Sequence, residues 1–162
     1  MNKVPALIDV NASFGKSATG ASEFPGIRDR LDFMDRLGIG TSLVWNTESR
    51  QNHALSSNQK LIDEIARTPT AHGRIIPALT ISGLMQYERD GILTLKRQMI
   101  AGKTRALRFV NVFTSLTLCQ LEPVIRGIAR LKPFIIMRHG ESNTQDILEF
   151  TAMFPGMTGV NP

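Results

Sequence analysis

The stretch IRDRLDFMDRLGIGTSLVW, residues 27–45, carries a helix pattern that hands over to a strand pattern, and its reading decides how the rest of the chain is parsed. Ile27, Leu31, Met34 and Leu37 stand at i, i+4, i+7 and i+10, which lines them along one helical face. Gly38 follows where a left-handed C-cap is needed. TSLVW, from Thr41, is a short run rich in β-branched and aromatic residues bounded by polar ones, the pattern of a strand.

The same alternation recurs in both directions. Strand-like runs begin at Ala6 (ALIDV), Thr41, Arg74 (RIIPAL), Arg105 (RALRFV), Pro133 (PFIIM) and Met157 (MTGV), spaced by roughly 30 residues, the length of one strand, one helix and their loops. Between them lie helical patterns. SSNQKLIDEIAR places Leu61, Ile62 and Ile65 on one face after a serine or asparagine cap, with Pro69 past its end. DGILTLKRQMIAG, QLEPVIRGIARL and NTQDILEFTAMF read alike, the last opening on Asn143. Strands that are apolar on both faces and alternate with helices imply a parallel sheet covered by helices in an α/β domain spanning residues 1–162. Two architectures compete: an open doubly wound sheet, complete at this length, and a (β/α)8 barrel, which takes about 250 residues. Both put the chemistry at the carboxyl ends of the strands.

Those ends carry polar residues: Asp9, Asn11 and Ser13; Trp45, Asn46 and Glu48; Thr80; Arg108 and Asn111; Arg138, His139 and Glu141. Arg108 and Arg138 end neighbouring strands and could bind a carboxylate or phosphate by forked hydrogen bonds, or pair with Glu141 or Glu48. Trp45, the one tryptophan, either packs in the core or walls a pocket. His53, after the second strand, is on the side of a site, and His72 on the opposite side; both read as ordinary solvated residues. FGKSATG, residues 14–20, lacks the glycine five residues before Gly15 that a phosphate loop requires and reads as a βα loop.

With 42% hydrophobic and 20% charged residues, the composition is that of a globular domain. Lysines and arginines (19) exceed acids (14), but Arg28, Arg30, Arg36, Arg50, Lys60 and Arg67 are scattered and no basic stripe interleaves with aromatics. That is a solvated basic surface, with no nucleic-acid partner expected. A lone Cys119 excludes an internal disulfide and a cysteine zinc cluster and points to a reducing, cytoplasmic setting. No run approaches the ~18 apolar residues of a membrane span, and the apolar run after MNK is too short for a signal peptide.

Two family resemblances remain to be weighed. PFIIMRHGESN, residues 133–143, is similar to the Arg-His-Gly signature of the histidine phosphatase and phosphoglycerate mutase superfamily. There the motif lies on the first strand, with a second histidine downstream; here His53 and His72 both precede it, and the reading fails on position. A broader resemblance covers nearly the whole chain. LIDVNASFG, the run from RLDFMDRLGIG through LVWNTESRQNHALSSNQKLIDEIARTPTAHGRIIPALTI, TRALRFVNV and LKPFIIMRHGE resemble, in order and spacing, successive units of the amidohydrolase-related family of metal-dependent TIM-barrel hydrolases and decarboxylases.

The resemblance implies a (β/α)8-type barrel of which the first five to six units are present. His139 would then stand as the fifth-strand metal ligand, for zinc or manganese, or as a general acid/base, and Glu141 as a carboxylate that activates water. Arg108, Arg138, Asn11 and Trp45 would bind a small carboxylate-bearing substrate. The family's first-strand His-x-His is here Asn11-x-Ser13, and an amide and a hydroxyl do not replace two imidazoles on a transition metal. The resemblance ends at FPGMTGVNP, so completion by a C-terminal segment or by self-association is expected. A non-catalytic relative that binds a ligand or partner chain is the alternative.

Overall fold

The computed structural model describes residues 7–16, 24–110, 117–138 and 140–154. Along the chain run β1 (Leu7–Phe14), α1 (Ile27–Leu37), β2 (Ile39–Asn46), α2 (Ala54–Arg67), β3 (Ile75–Pro77), β4 (Leu79–Ile81), α3 (Gly91–Ala101), β5 (Ala106–Phe109), α4 (Glu122–Ile128), β6 (Phe134–Ile136) and α5 (Thr144–Met153). The strand expected from Met157, together with His139, Asn111 and the end of FGKSATG, lies outside the described residues.

Helix α1 stops where its sequence says it should. Gly38 takes the left-handed conformation at φ 68°, and its N–H reaches back to Met34 and Asp35 carbonyls. Ile27, Leu31 and Met34 are buried; Leu37, a turn further along, is exposed. Helix α5 opens as expected on Asn143, whose side-chain oxygen accepts from Asp146 N. The start of α2 differs from expectation. It begins at Ala54 with His53 as N-cap, the imidazole Nδ1 accepting from Ser56 N, so the serine or asparagine cap is replaced by a ring nitrogen that offers the same lone pair.

All described ladders are parallel and join two three-stranded sheets, β1-β2-β3 and β4-β5-β6. Only Ala78 separates β3 from β4, and its N–H donates to Val44 O at 2.8 Å. Each strand therefore adjoins the next one in the sequence. Pro77 ends the pairing with β2, and from Leu79 onward the chain pairs with β5 instead. Strand β1 continues past Asp9 to Phe14, further than ALIDV suggests, through a bulge in which Val10 and Asn11 together stand opposite the single residue Leu43 of β2. The bulge hides the strand's period of two from a sequence reading.

Apolar residues fill both faces. On one side Ala12, Phe14, Val44, Ile75, Leu79, Ile81, Leu107 and Phe109 pack under the helices against Met34, Leu61, Leu95, Met99, Val124 and Ile125. On the other, Trp45, Ala78 and Ala106 form a smaller cluster with Leu43, Val110 and Ile136. At about 1.5–3 kcal/mol for each fully buried large side chain, the helix-side cluster holds the element order in place.

Among the described residues two arginines are buried, the first of them, Arg30, read from the sequence as surface charge. Arg30 on α1 is 4% exposed, lies between the rings of Phe24 and Phe33, and pairs with Asp9. Asp9 also accepts from Asn11 N and so holds the bulge, which makes it a structural residue. Arg108 is the second.

The first residue of α3 tolerates no side chain. A Cβ on Gly91 would stand 2.2 Å from the Met85 carbonyl oxygen, a backbone atom that cannot turn aside. Gly91→Ala is expected to destabilise the fold by about 1–3 kcal/mol, read as a lower urea midpoint at unchanged slope. An unchanged midpoint would contradict the close approach.

Candidate functional site

The carboxyl end of β2 builds the first wall. Asn46 is 1% exposed; its amide donates to Ser57 O at 3.3 Å and its oxygen accepts from Glu48 N at 3.0 Å, which caps the 3-10 turn Thr47–Arg50. Ser49 Oγ donates to Asn46 O at 2.7 Å, which leaves the Thr80 hydroxyl to donate to Ser49 Oγ at 2.8 Å. Thr80, expected just beyond a strand, sits inside β4. Past Ala78 the ladder to β2 has ended, and the Asn58 side chain on α2 takes its place: its oxygen accepts from Thr80 N at 2.8 Å and its amide donates to Thr80 O at 2.9 Å. The rigid turn aims Arg50 across the end of the sheet.

Arg108 on β5 is fully buried and makes a forked pair with Glu141: Nη1 donates to Oε2 at 2.5 Å and Nη2 to Oε1 at 2.8 Å. Nη1 also donates to the carbonyls of Phe109 and, at 3.2 Å, Ile136. Arg138 N donates to Glu141 Oε2 at 2.5 Å, so one carboxylate ties the ends of β5 and β6 together. Of the two partners open to Arg108, Glu141 is the one it takes, while Glu48 pairs with Lys60 at 2.8 Å.

Trp45 is 4% exposed and belongs to the smaller core cluster. The guanidinium carbons of Arg50 and Arg108 lie 5.0 and 5.2 Å from its ring, within cation–π range. Arg50, which the sequence reading left among scattered surface charges, makes no ion pair among the described residues, and its Nε is buried without a hydrogen-bond partner. Burial, followed by the nearby Arg138, pulls the Arg50 guanidinium below its usual range; Glu141 opposes this and Arg108 adds to it. Arg138 is exposed, and its side chain pairs with no described carboxylate. Arg50 thus has Arg108, Arg138 and Glu141 as charged neighbours, while Glu141 itself is held by the Arg108 guanidinium and the Arg138 backbone N–H.

A cavity of about 270 Å³ opens beside this cluster, lined by Arg50, His53, Thr80, Ser82, Glu88 and Val110 among others. His53 Nε2 lies 2.6 Å from Glu88 Oε2, clamping the loop after β4 to the start of α2, so His53 has a structural task beyond that of a solvated loop residue. His72 is exposed at the amino ends of the strands, as expected. Asn11 stays apart: it is exposed at the β1 bulge, inside the strand instead of beyond its end, while Ser13 is the residue in register with Trp45.

No three His, Cys, Asp or Glu side chains among the described residues are grouped so as to hold a metal ion. The described donors near the expected site, which do not include His139, are a poor match to a zinc or manganese ion. Both Glu141 oxygens already accept from cationic or backbone N–H groups, and Asn11 offers only an amide. Among the described residues, no helix is long and apolar enough to cross a membrane.

No family model, curated protein or solved structure matches the chain.

Proposed function

We propose that the chain is an amidohydrolase-like hydrolase or decarboxylase acting on a small carboxylate-bearing substrate at the carboxyl ends of its strands. The observation that carries this reading is the pair Arg50 and Arg108 over Trp45, with Arg138 as a further positive neighbour of Arg50 and Glu141 as the nearby acid, a surplus of positive charge at a partly desolvated site. Such a surplus attracts an anion more strongly than it would in open water. Strands that adjoin in chain order support an arc of a (β/α)8-type barrel, since a doubly wound sheet reverses its order at a switch point. Exposed Leu7, Ile8 and Val10 along β1 support completion of the sheet by further strands, from additional chain or a second copy. Cys119 as the only cysteine supports a reducing, cytoplasmic setting.

On this reading His139, adjacent in the chain to Arg138, is the general acid/base; Arg138 adds positive charge that draws the anionic substrate to the site; and Glu141 keeps Arg108 in place. No step is assigned to a metal. A second reading, a ligand-binding relative without catalysis, is favoured by one observation: Glu141, the acid expected to activate water, is committed to Arg108 and to Arg138 N.

The test is turnover of a panel of small lactones and carboxylic acids, followed by proton release and by evolved carbon dioxide. His139→Ala is expected to lower kcat by about 10²–10⁴-fold with an unchanged circular dichroism spectrum. Full activity in that variant would sink the assignment, and saturable binding without turnover of any compound would favour the second reading.

A further inference from the structure

We infer that Arg50 is the residue that receives the ligand's anionic group, and that the ligand is a small monoanion carrying a hydroxyl. The inference deepens the reading above and rests on it for the ligand's carboxylate. Arg108 cannot serve as receptor without giving up Glu141, both of whose oxygens it holds. Arg50 has no such commitment. Its Nε is buried and unpartnered, its guanidinium is stacked 5.0 Å from the Trp45 ring, and it lines the cavity. A planar guanidinium immobilised by an aromatic face and by a capped turn loses little freedom when it takes a carboxylate.

The remaining walls narrow the ligand class. A volume of about 270 Å³ equals the space of roughly nine waters, so the occupant is a compact acid. Ser82 Oγ accepts from Leu84 N, which leaves its proton to donate into the cavity. Glu88 also lines the cavity, with one carboxylate oxygen, Oε2, 2.6 Å from His53 Nε2 and no partner among the described residues on the other. The Glu88 carboxylate therefore repels a second anionic group and accepts from a hydroxyl. A hydroxy monocarboxylate meets both ends.

The chain's one tryptophan, Trp45, reports directly on binding. Titration of the wild-type protein with sodium lactate at constant ionic strength is expected to give a saturable change in tryptophan fluorescence, with sodium malonate binding at least tenfold more weakly. Arg50→Gln should weaken lactate binding about ten- to a hundredfold, while the surface variant Arg67→Gln should leave it unchanged. Arg50→Lys, which keeps the charge, guards against loss of folding and should retain part of the affinity. Equal lactate affinity in Arg50→Gln, or malonate binding as tightly as lactate, would overturn the inference, as would a response shared by sodium chloride. Lactate binding lost in Arg50→Gln while no compound is turned over would uphold the inference and sink the catalytic reading alone.

Discussion

Glu141→Ala is expected to cost about 3–5 kcal/mol of folding stability, seen as a fall in Tm on the order of 10 °C. The reason is what it leaves behind. Arg108 is completely buried, and with Glu141 gone its guanidinium keeps, among the described residues, the carbonyls of Phe109 and Ile136 as acceptors for its terminal nitrogens. An uncompensated charge in that position loses its hydration without gaining a counter-ion. The double variant Arg108→Leu with Glu141→Leu should recover most of the loss, because apolar residues of similar volume need neither partner. Thermal denaturation of the two single variants and the double one decides the matter. Additive losses across the cycle would mean that the two side chains do not depend on each other as the forked geometry requires.

Asn58→Leu is expected to cost about 2–5 kcal/mol, since it strips hydrogen-bond partners from two backbone groups at once, each worth about 1–3 kcal/mol when orphaned in a buried setting. Asn58 is 2% exposed and Thr80 3%, so water does not readily replace the amide. Hydrogen exchange separates this effect from a general loss of packing: the Thr80 amide, which donates to Asn58 Oδ1, should lose protection out of proportion to the amides of β5. Uniform loss of protection across both strands would mean that Asn58 contributes only its volume.

How much of this was legible depends on how local each signal is. The alternation of strands and helices shows in the sequence because Ile27, Leu31 and Met34 follow a helical period and Gly38 and Asn143 act through their own backbone or side chain. Asn58, which the sequence offers only as a possible helix cap, turns out to stitch α2 to β4 while Leu61, three residues on, fills the core. Arg108 is visible at a strand end, but the choice between Glu141 and Glu48 is made by Lys60, a helical residue that occupies Glu48. Arg50 was missed because nothing in TESR marks one arginine as different; its position over Trp45 comes from a turn capped by Asn46 and braced by Thr80, residues up to 34 positions apart from one another. The bulge in β1 erased the period that would have placed Asn11 inside the strand. Burial of Arg30 depends on two phenylalanines and on Asp9, which no local pattern joins.

The pairing of each strand with its successor has a bearing on how the chain acquires its structure. Every described ladder closes over a loop of one strand–helix unit, so among the described strands each pairs with a near neighbour in the chain, and the entropic barrier to each of these closures stays small. During synthesis, β1, α1 and β2 can dock before β5 has left the ribosome, and each later unit finds its template already standing. Such a chain assembles in the direction in which it is made.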